Sequence, residues 1–105
     1  MLGFLKKLFA SSDDNNEALQ QIIADGAYLI DVRTPGEFAS GSVKGAVNIP
    51  LDKIGGQASK LKGKKHIVVF CRSGNRSGQA KSILNQAGFT DVTNGGTWDN
   101  VNQFV

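Results

Sequence analysis

Cys71 is the single cysteine of the chain. It is followed by Arg72, Ser73, Gly74, Asn75, Arg76 and Ser77, a run of small and basic residues between the apolar stretch Ile67-Val68-Val69-Phe70 and a helix-patterned segment. A thiol at the end of a buried strand and ahead of a helix N-terminus stands where backbone N–H groups and positive charge favour a thiolate and bind anions. Ser73, Gly74, Asn75, Ser77 and Gly78 suit a tight curl whose N–H groups converge on one point, an anion nest. The spacing points to a nucleophilic thiol. The plain alternative is a small buried hydrophobe, and two arginines within five positions, costly to bury, weigh against it.

Other chemistries are excluded by composition. One cysteine and one histidine allow no intramolecular disulfide and no four-ligand Cys/His zinc site, so no metal and no cofactor is expected. His66, just ahead of the central strand, reads as a surface or edge residue and not as a general base. The net charge is only +3, yet no acidic residue occurs between Asp52 and Asp91, a stretch holding Lys53, Lys60, Lys62, Lys64, Lys65, Arg72, Arg76 and Lys81. That stretch is either a solvated lysine face or a field that gathers small anionic substrates around the thiol. Aromatic residues are not interleaved with it, so nucleic acid is not an expected partner.

The elements that must position Cys71 follow from periodicity and turn chemistry. At 105 residues, 40% hydrophobic and 20% charged, the chain has the size and composition of one ordinary globular domain. Residues 1–12 read as an amphipathic segment and linker, with Leu2, Leu5, Leu8 and Phe9 interrupted by Lys6 and Lys7, and residues 13–105 as the domain. No stretch is long enough to span a membrane, and the interrupted apolar run makes a poor signal peptide. A cytoplasmic location is expected, with export as the lesser alternative. Asp14 and Glu17 resemble a capping box opening a helix that carries Leu19, Ile22 and Ile23. Tyr28 to Val32 forms a strand, and Thr34-Pro35-Gly36-Glu37 opens a short helix. Ala46 to Ile49 is a second strand, and Leu51, Ile54, Ala58 and Leu61 recur at near-helical spacing. His66 to Phe70 is the strongest strand, apolar throughout as in the middle of a parallel sheet. Ala80, Ile83, Leu84 and Ala87 mark a helix ended by Gly88. Phe89 to Thr93 gives a last strand, and Gly95-Gly96 leads into a short helix with Trp98, Val101 and Phe104. Strands alternating with helices predict an α/β fold, a central, mostly parallel sheet of about five short strands with helices on both faces.

Asp31-Val32-Arg33-Thr34-Pro35-Gly36-Glu37-Phe38, the run Gly41 to Pro50, the loop Cys71 to Ser77, and Gly88-Phe89, Val92, Gly95-Gly96 and Trp98 occur in the order seen in single-domain rhodaneses. From about Glu17 to the C-terminus the chain resembles that sulfurtransferase family. The resemblance implies a thiosulfate sulfurtransferase in which the Cys71 thiolate takes sulfane sulfur from a small anionic donor such as thiosulfate, becomes a persulfide, and passes the sulfur to cyanide or a thiol. Loop N–H groups from Arg72 to Ser77 are expected to hold the terminal sulfur, Arg72 and Arg76 to neutralise donor and leaving sulfite, and the hydroxyls of Ser73 and Ser77 to add donors.

Asp31, Arg33 and Glu37 are expected to be structural, pairing to hold strand and helix together, and Trp98 to be core. Ser42 departs from the family, which commonly has histidine there. Two other readings stay open: a sulfur-carrier or regulatory module with a sulfur-relay protein partner, and a cysteine phosphatase or arsenate reductase. The related phosphatases place their arginine six positions after the cysteine, whereas Arg76 comes at five, which favours sulfur over a tetrahedral oxyanion. A monomer is the default expectation.

Overall fold

The computed structural model describes residues 11–105, with side chains from Asn16 onward; the amphipathic pattern in Met1–Ala10 lies outside the described residues. In chain order the elements are α1 (Ser11–Ala24), β1 (Tyr28–Asp31), α2 (Pro35–Ser40), β2 (Val47–Asn48), α3 (Leu51–Ile54), a 3-10 turn (Ala58–Leu61), β3 (Ile67–Cys71), α4 (Asn75–Gln86), β4 (Val92–Thr97) and α5 (Trp98–Asn102). The sheet order is β2-β1-β3-β4 and every pairing is parallel.

The α/β class and the helices on both faces are as expected, but the described residues form four strands, not about five. β3 is buried at all five positions, as an apolar strand covered on both faces must be. One face packs Ile30, Val69 and Cys71 against Ile54, Leu61, Ala80 and Leu84 of α3, the 3-10 turn and α4. The other packs Leu29, Val68 and Phe70 against Leu19 of α1 and Val101 of α5. Alternate residues of one strand thus seed two cores, which fixes the strand's rotation and so the direction in which Cys71 projects.

Three further expectations are revised. α1 begins at Ser11, ahead of the capping-box pattern at Asp14, and takes in Ser11 and Ser12, the end of the segment expected to be a linker; N-cap preference is too small an effect to stop a helix whose later turns pack on a core. The apolar spacing from Leu51 to Leu61 is split at Gly55-Gly56 into a one-turn helix and a 3-10 turn, consistent with the low helix propensity of glycine. β4 starts at Val92 and runs through Gly95-Gly96, beyond the expected end at Thr93. Here Val69 pairs with Asn94 and Phe70 with Gly96, leaving Gly95 as an extra residue in the register. A Cβ on Gly95 would stand 2.5 Å from Cγ2 of Val101 and 3.0 Å from Cγ1 of Val68, so glycine is what lets the bulged strand meet both neighbours.

On charge, position decides between the two readings of the basic stretch. Lys60, Lys62, Lys64 and Lys65 precede β3, whereas Cys71 is its last residue. A five-residue strand spans about 13 Å, beyond a Debye length of about 8 Å at physiological salt. These lysines are exposed and lie ahead of the amino end of β3, with Lys64 over the Tyr28 ring at 4.5 Å, and they fit the solvated-face reading. They do not surround the thiol.

Candidate active site

The chain runs from β1 outward to β2 on one side and from β3 outward to β4 on the other, so the strand order reverses between β1 and β3. In open parallel sheets the segments leaving the carboxyl ends of strands diverge at such a point and open a crevice. Cys71 stands there, at the end of β3, with the Arg33–Glu37 segment opposite at the end of β1.

Cys71 is fully buried. After it the backbone curls through Arg72 and Ser73 to Gly74, whose φ of 93° is left-handed; an L side chain is strained in that region, and a Cβ here would also approach Gly96 Cα at 3.5 Å. The curl returns the Gly74 N–H to Sγ at 2.9 Å, and Ser77 Oγ lies 3.4 Å from the same sulfur. Burial pushes the Cys71 thiol up; the Ser77 hydroxyl, when it donates to sulfur, and the N–H groups of Ser77, Ser73 and Gly74 outweigh it, so the thiol lies below its ordinary value. Sγ therefore sits over the N-terminus of the twelve-residue α4, where unpaired N–H groups and the helix dipole both favour an anion.

Of the expected loop residues, Gly74 and Ser77 bond the sulfur directly and Ser73 contributes its N–H, while Arg72, Ser73 and Asn75 are exposed at the surface. Arg72 lines a cleft with Thr97, Trp98, Asp99, Gly41 and Glu37 beside the loop. Arg76 is held by Glu37 in a two-point ion pair, Nη1 to Oε1 at 2.7 Å and Nη2 to Oε2 at 3.0 Å. Its charge still acts on Cys71, since a thiolate there helps to raise Arg76 above its ordinary value, after the larger effect of Glu37. Glu37 is correspondingly pulled down to about 2, first by Arg76 and then by the Thr34 N–H.

The expected structural trio is thus divided between two jobs. Asp31, buried, takes the Arg33 side chain at 2.6 to 3.0 Å, and Arg33 also donates to the Gly41 carbonyl and lies 5.3 Å from the Trp98 ring centre. Glu37, the third position of the capping box that Thr34 opens, bridges α2 to α4 and not α2 to β1. Ser42 donates to Asp31 Oδ2 at 2.7 Å, so the departure from histidine still supplies a donor to that buried carboxylate. His66 Nε2 meets Thr93 Oγ1 at 2.9 Å at the start of β3, away from Cys71. Trp98 packs on the α1–α5 core with one side in the cleft.

Asn94 escaped the sequence reading. Its side chain bonds Ser77, Gly74 and Gly96. The available signal was a poor strand former directly ahead of Gly95-Gly96.

The chain matches the rhodanese-like domain family over residues 15–96. It is 38% identical over 82 residues to a sulfurtransferase of Allochromatium vinosum, covering 76% of this chain and 77% of that protein. With the thiosulfate sulfurtransferase PspE of Escherichia coli it shares 41% identity over 71 residues, 66% of this chain and 68% of PspE. The solved structure of a rhodanese with anions from E. coli superposes with a TM-score of 0.66 at 36% identity, covering 71% of this chain and 91% of that one.

Proposed function

The chain belongs to the rhodanese family, and from that premise we propose that it is a thiosulfate sulfurtransferase working through a persulfide on Cys71. The Cys71 thiolate attacks the outer sulfur of thiosulfate. A Cys71 Sγ–S bond forms, the bond from that sulfur to the sulfonate sulfur breaks, and sulfite leaves with the bonding electron pair. One negative charge stays on the terminal sulfur of the persulfide. Cyanide, or a thiolate in the cell, then attacks that terminal sulfur, leaves as thiocyanate or a new persulfide, and restores the Cys71 thiolate.

The observation that carries this reading is the seat of Sγ: a buried sulfur on a helix N-terminus, bonded by the Gly74 N–H at 2.9 Å and flanked by Ser77 Oγ. Such a seat stabilises a thiolate without a separate base and provides N–H donors for charge on sulfur. Exposed Arg72 at the cleft provides positive charge for an anionic donor and for departing sulfite, while the charge of Arg76 is shared with Glu37. The five-position spacing from Cys71 to Arg76 supports sulfur over phosphate or arsenate.

Intact-mass spectrometry after incubation with thiosulfate tests the proposal. A gain of one sulfur atom, removed by cyanide and absent in Cys71→Ser, is expected. An unchanged wild-type mass overturns it.

A further inference from the structure

Gly74 and Ser77 touch the Cys71 sulfur, and one side chain from another strand touches both. Asn94 accepts the Ser77 hydroxyl on Oδ1 at 2.7 Å and the Gly96 N–H on the same atom at 2.9 Å, and its Nδ2 donates to the Gly74 carbonyl at 3.2 Å. The two backbone partners fix the orientation of the amide, because an N–H only donates and a carbonyl only accepts. Oδ1 can only accept, so at 2.7 Å the Ser77 proton lies toward Asn94. Ser77 has one proton. It therefore presents a lone pair to Sγ at 3.4 Å; a Cys71 thiol donates to it, and a thiolate gains its hydrogen bond only when the hydroxyl rotates.

We propose that Asn94 is a positioning residue that competes with the Cys71 sulfur for the Ser77 proton. Rotation of the hydroxyl toward sulfur strands no group, since Oδ1 keeps the Gly96 N–H. While the proton stays with Asn94, the thiolate is held by one hydrogen bond fewer, and a less stabilised thiolate of higher pKa is intrinsically the stronger nucleophile. The inference deepens the sulfurtransferase reading and rests on it for its purpose, though its test requires no sulfur donor.

The charged groups around this pocket are Arg72 on the loop, Arg76 on α4 with its partner Glu37 on α2, Lys81 on α4 in the cleft beside Asn94, Asp99 on α5 in the cleft with Arg72, and the Asp31–Arg33 pair at the end of β1. All of them remain in the variants used. Asn94 is exposed, so shortening it opens no core cavity.

The experiment is the rate of Cys71 alkylation by iodoacetamide as a function of pH, in wild type, Asn94→Ala, Ser77→Ala and the double variant, with circular dichroism to verify folding. Competition predicts that Asn94→Ala lowers the inflection by about half a unit or more, about threefold more thiolate below it, and that this fall vanishes in the Ser77→Ala background. Losing the Gly74 contact acts in the opposite direction, so a purely structural Asn94 gives a rise. A rise, no change, or an equal fall in both backgrounds overturns the proposal. If Asn94→Ala does not fold, near-isosteric Asn94→Asp answers: as a stronger acceptor it must raise the inflection more when Ser77 is present than in its absence, and equal shifts overturn the proposal. Failure here with persulfide still formed rejects the role of Asn94 alone, whereas loss of the mass gain rejects the sulfur chemistry.

Discussion

Arg76 and Glu37 close on each other through two hydrogen bonds of 2.7 and 3.0 Å, joining the first turn of α4 to α2 across 39 positions of sequence. The pair keeps Arg76, whose charge acts on the buried thiol, from swinging into solvent. It also ties the segment after β1 to the loop after β3, the two sides of the crevice.

Glu37 carries a pH dependence of stability with a definite sign. Its carboxyl is lowered from 4.5 to about 2 in the folded protein, so its contribution is complete above the unfolded value and disappears as pH falls through the folded one. Urea unfolding is expected to show wild type losing stability relative to Glu37→Gln between about pH 4.5 and 2. The pair is partly exposed, and solvent limits the effect to about 1 kcal/mol.

The Cys71 thiol is expected to titrate below the ordinary cysteine value of about 8.5, because the Ser77 hydroxyl, once its proton turns to sulfur, and the N–H groups at the head of α4 outweigh burial. An alkylation profile with its inflection at or above that value contradicts the site as described. Gly74→Ala, which forces an L residue into a φ of 93°, should raise the inflection as it displaces the N–H that meets Sγ, and should lower stability by about 1–2 kcal/mol.

Arg72 is exposed beside the cleft, so its replacement should leave the fold alone. For an anionic donor, losing one charged hydrogen bond of about 1.5–3 kcal/mol predicts that Arg72→Ala lowers kcat/KM for thiosulfate by about tenfold or more. Unfolding midpoints equal to wild type and an unchanged thiol titration should accompany it.

Asp31 and Arg33 are 0% and 5% exposed, and removing one partner of a buried pair leaves an uncompensated charge. Asp31→Ala is expected to cost about 3–5 kcal/mol, read from urea or thermal unfolding. Ser42→Ala, which removes a single donor to the same carboxylate, should cost about 1–3 kcal/mol.

Gly95→Ala should be destabilising by about 1–3 kcal/mol through overpacking, since its Cβ would meet Val101 Cγ2 at 2.5 Å. Val101→Ala opens space at that contact. The double variant is therefore expected to be more stable than the sum of the two single losses predicts, which a thermal-unfolding cycle measures.

Much of the fold was legible in the linear chain because the forces that set it are local. The capping box at Thr34 and Glu37, the helix after the Cys71 loop and the unbroken apolar run of β3 each depend on residues a few positions apart. The curl from Cys71 to Ser77 was readable for the same reason: Gly74 and Ser77 lie three and six residues from the sulfur they bond. What local pattern leaves open is the pairing of groups distant in sequence. Arg76 looked like a free anion ligand until α2 placed Glu37 against it, and the lysines before β3 looked close to Cys71 until the strand separated them by its length. The extent of β4 depended on whether Val101 and Val68 leave room for a side chain at Gly95. Asn94 has no helical or strand periodicity to mark it, and it acquires a role only because parallel pairing of β3 with β4 sets it beside the head of α4. Sequence by itself determined that this chain carries one thiol on a tight loop between an apolar strand and a helix; the tertiary structure decided which partners hold that loop, because charge and hydrogen-bond pairing follow distance in space.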